Sequence, residues 1–190
     1  MKENTYLHTI KAAEKLFNRF GFAKTAMSDI AKASDVSRAT IFNNFGNKEG
    51  VLKAVLDNKR KEFRASITRR IAKTHSISGQ MKAILIERIK MLSAMKYISE
   101  GIIAVDNETV NVFFKEMNRF FMKKITDVLT GSGRGKEEIK RLINTILFMM
   151  KGIEQGVSEQ LESFSLKQVE QDIDYFLKLA VPEEQEERAQ

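Results

Sequence analysis

Residues 25–49, TAMSDIAKASDVSRATIFNNFGNKE, decide the fold that we expect for the amino-terminal part of the chain. Their spacing predicts a short helix over residues 27–33, a tight turn, and a second short helix over residues 38–44. Thr25 or Ala26 is expected to cap the first helix, and Thr25 is preferred because a hydroxyl oxygen can accept from the free amides at a helix start. Ser37 is expected to cap the second helix in the same way. The stretch therefore predicts a helix-turn-helix, followed at once by the start of another helix.

The second short helix is expected to turn a polar set of side chains outward. Its inward residues are predicted to be Ala39, Ile41, Phe42 and Phe45, which leaves outside Ser37, Arg38, Thr40, Asn43 and Asn44. No Asp or Glu occurs between Val36 and Lys48. Such side chains can donate to and accept from base edges and phosphates, and no carboxylate repels the DNA backbone. The pattern favours DNA binding, and the alternative is a polar surface turn in a helical protein.

The same residues resemble the DNA-binding domain of the TetR family of bacterial transcriptional regulators. The shared pattern is T-x(3)-D-I-A-x(2)-x-x-V-S-x-x-T-I-F-x-x-F-x-N-K-E, and the family's first helix is matched upstream by Ile10, Ala13, Leu16, Phe17 and Gly21. The resemblance covers roughly residues 5–56. Two positions depart from the family: Asp35 stands where Gly is usual, and Phe42 stands where Tyr is common, which removes one hydroxyl contact to phosphate.

The resemblance and the helix-turn-helix pattern together give an expected DNA-binding set. Its members are Thr25, Ser37, Arg38, Thr40, Phe42, Asn43, Asn44 and Lys48. Thr25, Ser37 and Lys48 are expected at phosphates, since amides at a helix start and an ammonium group suit an anion. Arg38, Thr40, Asn43 and Asn44 are the candidates for base edges.

Composition restricts the class of protein. The chain has 190 residues, of which 43% are hydrophobic, with one Pro and no Cys. Few strand-like alternations occur, so we expect an all-α protein without disulfides or thiolate metal sites. The amino-terminal residues carry charges throughout, and no run approaches the ~18 apolar residues of a membrane span. We therefore expect a soluble cytoplasmic protein that contacts no membrane.

Positive charge is concentrated in the half that carries the motif. Residues 1–75 contain 16 Lys and Arg against 7 Asp and Glu, a net charge of +9, whereas the remaining residues sum to −2. A polyanionic partner at the amino-terminal half explains this asymmetry, and nucleic acid is the simplest polyanion. Charge alone is also compatible with an ordinary basic surface.

The whole chain is expected to form about nine helices in two domains. We predict a helix-turn-helix domain over residues 1–48, a linking helix over about 48–73, and a helical ligand-binding and dimerisation domain over residues 49–182. The acidic segment 183–190 is predicted to be a disordered tail. The Gly-rich loop at 131–135 lacks the preceding strand and the G-K-[ST] of a phosphate-binding loop, and is interpreted as a linker.

The second domain is expected to bind a small lipophilic effector, an expectation that rests on the resemblance to the family. Met and Phe side chains line adaptable apolar sites. The candidates are Met81, Met91, Met95, Phe113, Met117, Phe120, Phe121 and Phe148. The alternative for each of them is a place in the ordinary core.

Two apolar helices near the carboxyl terminus predict a homodimer built as a four-helix bundle, which is also the family's mode. The first has apolar residues at spacings of four and three, close to a heptad seam. The expected interface residues are Ile139, Ile143, Ile146, Gly152, Ile153, Gly156, Val157, Ile173 and Phe176. The alternative is that both apolar stripes close the core of one monomer.

Two other functions are weighed against a ligand-responsive repressor of an inverted-repeat operator. A DNA-packaging protein without a sensor would show little sequence preference and steep salt dependence. A helical enzyme is disfavoured, because the chain has only His8 and His75, no Cys and no recognisable nucleophile motif. We expect no catalytic residue, no metal and no cofactor.

Overall fold

The computed structural model describes residues 1–103, 108–158 and 165–181, with the side chains of these ranges except those of 96–103 and 157–158. These residues form eight helices and no strand, so the all-α prediction is confirmed with one helix fewer than expected. The helices are α1 (Glu3–Phe20), α2 (Met27–Ser34), α3 (Arg38–Phe45), α4 (Lys48–Ile71), α5 (Ile77–Ile103), α6 (Glu108–Thr130), α7 (Lys136–Ser158) and α8 (Leu166–Ala180). The predicted disordered tail at 183–190 lies outside the described residues.

The chain divides into two compact units. The first consists of Met1–Arg64 with Ala94–Asn118, and the second of Ala65–Ser93 with Arg119–Gln190. The predicted domain boundary near residue 48 stays a prediction. None of the helices in the described ranges has the length and apolarity that crossing a bilayer requires.

The core of the first unit is built on α1. Ile10, Ala13 and Phe17 recur along one face and are fully buried, as the helical spacing predicts. The helix is capped at its carboxyl end by Gly21, whose φ of 80° is a conformation that favours glycine over other residues. Phe22 then turns back onto Phe17, with the ring centroids 5.4 Å apart. The two short helices that follow in the chain pack against this part of the core.

Lys59 on α4 ties that helix to α1. Its ammonium lies 2.6 Å from the Glu14 carboxylate and 3.3 Å from that of Glu62. Burial by itself lowers the pKa of Lys59, but the hydrogen bonds and negative charges of the two glutamates outweigh it, so the pKa is raised. The next residue, Arg60, pairs with Asp57 on its own helix and with Glu116 on α6. Adjacent residues of α4 thus attach it to two different helices of the same unit.

The second unit is held by ion pairs around α5. Glu87 is buried and accepts from Arg70 at 2.8 Å. Arg88 donates to Glu154 on α7 at 2.6 Å, and its guanidinium also lies 5.2 Å from the ring centroid of Phe121. The buried apolar residues that α7 and α8 contribute to this unit are Ile146, Met150, Val169, Ile173 and Leu177.

The Lys59–Glu14 pair predicts a stability difference that depends on pH. Lys59→Met should lower the free energy of unfolding by about 1–2 kcal/mol at pH 8, because a half-buried Glu14 loses its partner. The raised pKa means that the contribution of Lys59 is complete below its ordinary value of 10.5 and is lost as the pH rises through the folded value. Urea unfolding of both proteins from pH 8 to 11 measures the difference.

Lys61→Met is the matched control for this measurement, because Lys61 is an exposed lysine on the same helix. It should change stability by less than about 0.5 kcal/mol. Equal losses for the two variants, or a Lys59 effect that grows above pH 10.5, would contradict the assigned pairing.

Candidate functional site

The start of α2 differs from its prediction. Thr25 was expected as the cap, but its side chain is buried and its hydroxyl donates to the Gly21 carbonyl at 2.8 Å. Ala26 occupies the capping position, and its amide donates to the Asp29 carboxylate at 2.9 Å. The preference for Thr25 as the cap of α2 is therefore wrong, because its hydroxyl closes the preceding turn, and the alternative, Ala26, holds the capping position. A phosphate contact from the Thr25 hydroxyl would require that bond to open.

The turn between α2 and α3 is left-handed at Asp35, with φ 51° and ψ 43°. Asp tolerates this conformation better than most residues with a side chain, and a glycine would fit the same geometry. The Val36 amide donates to the Ala31 carbonyl at 3.1 Å and closes the turn. The buried Ser34 hydroxyl donates to the Ile30 carbonyl at 2.6 Å. These bonds fix the angle at which α3 leaves α2.

Ser37 caps α3 as predicted: its hydroxyl oxygen accepts from the Thr40 amide at 3.1 Å. The Ser37 and Thr40 hydroxyls are also 2.8 Å apart, and the Asn44 amide group donates to the Thr40 carbonyl at 2.7 Å. Arg38 and Asn43 are exposed and form no hydrogen bond or ion pair within the described residues. Of the predicted base-reading set, these two side chains are the ones open to a partner.

Fewer side chains of α3 face inward than predicted. Ile41 is fully buried, and Phe45 stacks on Tyr6 of α1 with ring centroids 5.1 Å apart. Ala39 and Phe42, which were expected to face inward, are exposed, and Phe42 is 63% exposed. An eight-residue helix needs few buried side chains when a neighbouring helix supplies a stacking partner, so two of its apolar residues remain on the surface.

Lys48 stands at the start of α4 but points back to the end of α1. Its ammonium donates to the carbonyls of Phe22 at 2.8 Å and Ala23 at 3.3 Å, and lies 4.5 Å from the ring centroid of Phe22. The expected phosphate contact of Lys48 would share this ammonium with two structural bonds.

Gly50 lies beside the end of α3, which explains a glycine in the first turn of α4. A Cβ at this position would lie 1.8 Å from the Phe45 carbonyl oxygen. The Asn47 side chain caps the helix here, accepting from the Gly50 amide at 2.8 Å. A larger residue would prevent this close approach, so glycine stands here despite its low helix propensity.

The eight expected ligand-binding residues are not brought together within either unit. Met95, Phe113 and Met117 belong to the first unit, and the other five belong to the second. Most are buried, and Phe120 is partly exposed; the buried members are Met81, Met91, Met95, Phe113, Met117 and Phe121. Phe148 is 79% exposed on α7, so it lines no interior space of its unit. Phe148 was predicted to line a pocket, but in the structure it lies on the surface of α7.

One cleft of the first unit includes a predicted ligand residue, Phe113. The cleft encloses about 530 Å³ between α4 and α6. Besides Phe113 it is lined by Lys53, Leu56, Asp57, Arg60, Glu108, Thr109, Val112 and Glu116. This mixed lining carries five charged side chains and differs from the apolar Met and Phe pocket that the sequence led us to expect.

The expected interface residues divide between the core and the surface of their unit. Ile146, Gly156 and Ile173 are buried, and Ile139, Ile143, Ile153 and Phe176 are partly exposed. Gly152 is exposed, with open space where a Cβ would be, and the side chain of Val157 lies outside the described residues. The stripe is therefore partly buried within its own unit and partly exposed, and its expected role as a dimer interface stays a prediction.

A second apolar surface on α7 and α8 was missed by the sequence reasoning. Leu147 and Phe148 are exposed on α7, and Tyr175 and Leu179 are 69% and 66% exposed on α8. Phe148 is one turn from the open Gly152, and Tyr175 is one turn from Leu179. The same spacing of four was visible in the sequence, but it was masked by the stronger stripe on the opposite side of each helix.

Comparison with known proteins identifies the amino-terminal segment. Residues 10–55 match the family model described as bacterial regulatory proteins, tetR family. The HTH-type transcriptional regulator TtgR of Pseudomonas putida is 38% identical over 56 residues. That alignment covers 30% of this chain and 27% of the relative, so the chain is matched over about a quarter of that protein's length.

Solved structures resemble the chain over nearly its whole length. The fatty acid degradation regulator FadR from Bacillus halodurans superposes with a TM-score of 0.74 and 18% identity, covering 96% of this chain and 99% of the other. FadR from Bacillus subtilis in complex with stearoyl-CoA gives 0.72 and 16%, covering 93% and 98%. At these identities the likeness establishes the fold.

Lys48→Met should lower the free energy of unfolding by about 1–2 kcal/mol, because the carbonyls of Phe22 and Ala23 lose a charged donor. Lys24→Met is the control, since Lys24 is an exposed lysine in the same loop region, and its loss should leave stability within about 0.5 kcal/mol. Chemical denaturation without DNA measures both. Unchanged stability in the Lys48 variant would show that its bonds to the loop contribute nothing.

Proposed function

We propose that the chain, whose residues 10–55 match the family model of bacterial regulatory proteins, tetR family, is a homodimeric transcriptional repressor of that family. It binds an inverted-repeat operator and is released by a small lipophilic effector. It works in the cytoplasm and needs no cofactor. The observation that carries this proposal is the outer surface of α3, which is free of carboxylates and presents Arg38 and Asn43 without partners among the described residues.

Two side chains supply the base contacts in this proposal. The Arg38 guanidinium can make a bidentate contact to the O6 and N7 of a guanine, and the Asn43 amide can do the same at an adenine. Ser37, Thr40 and Asn44 already bond to one another at the start and along α3, which supports a role for them in holding the helix. The net charge of +9 over residues 1–75 favours the approach to a polyanion.

The exposed apolar surface of α7 and α8 supports a homodimer. Leu147 and Phe148 on α7 and Tyr175 and Leu179 on α8 form rows that a second copy can cover. Gly152 lies one turn after Phe148 and presents no side chain, so a partner helix can approach closely there. A two-fold axis through this surface makes the interface self-complementary and gives the operator its inverted repeat.

The effector part of the proposal rests on the family and on apolar side chains. A structural relative, FadR from Bacillus subtilis, is known in complex with stearoyl-CoA, which supports a lipophilic effector here. Buried methionines such as Met81 and Met91 on α5 can repack around a ligand. The effector must favour the non-binding dimer by a few kcal/mol to release DNA. A thermal-shift screen of lipophilic compounds, followed by operator release, tests this part.

Substitutions at Arg38 test the base contact. On an operator selected from random DNA, Arg38→Ala should reduce affinity and lower discrimination against a changed guanine by about 1–3 kcal/mol. Arg38→Lys retains the charge but loses the planar fork, so it should keep the salt dependence and lose the discrimination. Fluorescence anisotropy at fixed salt measures both. Equal losses on the operator and on random duplex would move Arg38 to the phosphate contacts.

The dimer surface predicts the effect of a buried charge. Phe148→Glu should shift the protein toward monomer in sedimentation and weaken operator binding at least about tenfold, because a carboxylate would be desolvated in the interface. Val112→Glu, at an exposed apolar residue on α6, is the matched control and should leave the assembly unchanged. A Phe148→Glu protein that stays dimeric would place the interface elsewhere.

A further inference from the structure

The DNA-facing helix α3 carries an apolar strip that the sequence did not predict to be exposed. Ala39 and Phe42 are three residues apart, so they are neighbours on one side of the helix. Phe42 is 63% exposed, and it packs against no other aromatic ring within the described residues. An aromatic side chain left in water on a helix this short forgoes a sizeable burial free energy in the free protein.

The strip lies between the two open polar side chains of α3. Arg38 is one turn from Phe42, and Asn43 is one turn from Ala39. The strip would therefore enter the major groove together with them. Phe42 has no hydroxyl, so it can make no hydrogen bond to a phosphate. What it can do is bury apolar surface.

The major groove offers one apolar group on a base edge. Only thymine presents a methyl group there, at its C5 position, and Phe and Ala are among the side chains that contact it. Adjacent base pairs are within reach of Arg38 and Asn43. The groove thus contains both the polar atoms that these two residues need and the methyl that Phe42 can cover.

We propose that Phe42, supported by Ala39, is a specificity residue that selects a thymine by its methyl group, beside the base contacted by Arg38 or Asn43. This inference rests on the proposed function, because it requires α3 to lie in the major groove. It predicts at least one position in each half-site where thymine is required although no hydrogen bond to it is made.

Replacement of single thymines by deoxyuridine tests the proposal, since it removes the methyl group and leaves every hydrogen-bonding atom in place. In an operator selected from random DNA, each thymine is replaced in turn and affinity is measured by fluorescence anisotropy at fixed salt. At one position of the half-site the loss should be about fourfold, the value for one buried methyl group. In Phe42→Ala the same replacement should change affinity by less than about 1.5-fold, because the contact is already gone.

Two further variants keep the test decisive. Phe42→Leu retains an apolar side chain and should keep part of the thymine preference. Phe20→Ala removes another exposed aromatic, at the end of α1, and should leave the thymine preference intact. Because Phe42 is largely exposed, its variants should keep the helical circular dichroism of the parent protein, which separates lost contacts from lost folding.

Each remaining outcome overturns the proposal in a distinguishable way. If Phe42→Ala keeps the full deoxyuridine effect, another residue reads the methyl. If no thymine is sensitive, or if Phe42→Ala weakens operator and random duplex equally, the ring contacts only the backbone, and the proposed function stands without this inference. If the parent protein shows no sequence preference at all, the proposed function and the inference fail together.

Discussion

The structure of the outer surface of α3 depends on how little of this helix is buried. An eight-residue helix is too short to be stable alone in water, so its packing must hold it. That packing consists of the fully buried Ile41 and of Phe45 stacked on Tyr6. Because these two residues, one turn apart, suffice to hold the helix, other side chains of α3, such as Arg38 and Asn43, remain exposed. Packing residues and exposed polar residues are thereby carried by the same short helix.

The surrounding residues fix the position of that helix through backbone turns and side-chain contacts. The left-handed Asp35 sets the turn before α3, and the close approach of Gly50 to the Phe45 carbonyl sets the turn after it. Lys48 closes the same region by donating to the carbonyls of Phe22 and Ala23. The Lys59–Glu14 pair then continues the attachment along α4 to α1. A displacement of α4 would therefore also act on α1, against which α3 packs through Tyr6.

The sequence was sufficient for the helix-turn-helix because its signals are local. The Ser37 cap, the left-handed turn at Asp35 and the glycine end of α1 each depend on a few neighbouring residues. The exposure of Phe42 was not predictable in this way, since it depends on where Tyr6 lies in space. The role of the apolar stripe on α7 was equally hard to predict from the sequence. A heptad-like pattern identifies a buried face, but it does not tell whether the chain itself or a second copy covers that face.

Footprinting of a DNA fragment selected from random sequence tests the central claim most directly. Two copies of α3 held by a two-fold interface should protect two inverted half-sites from hydroxyl radicals. Their centres should lie one helical turn apart, about 34–36 Å, or a multiple of that distance. Protection of a single half-site, or uniform protection along the fragment, would contradict a dimer that reads DNA through this helix.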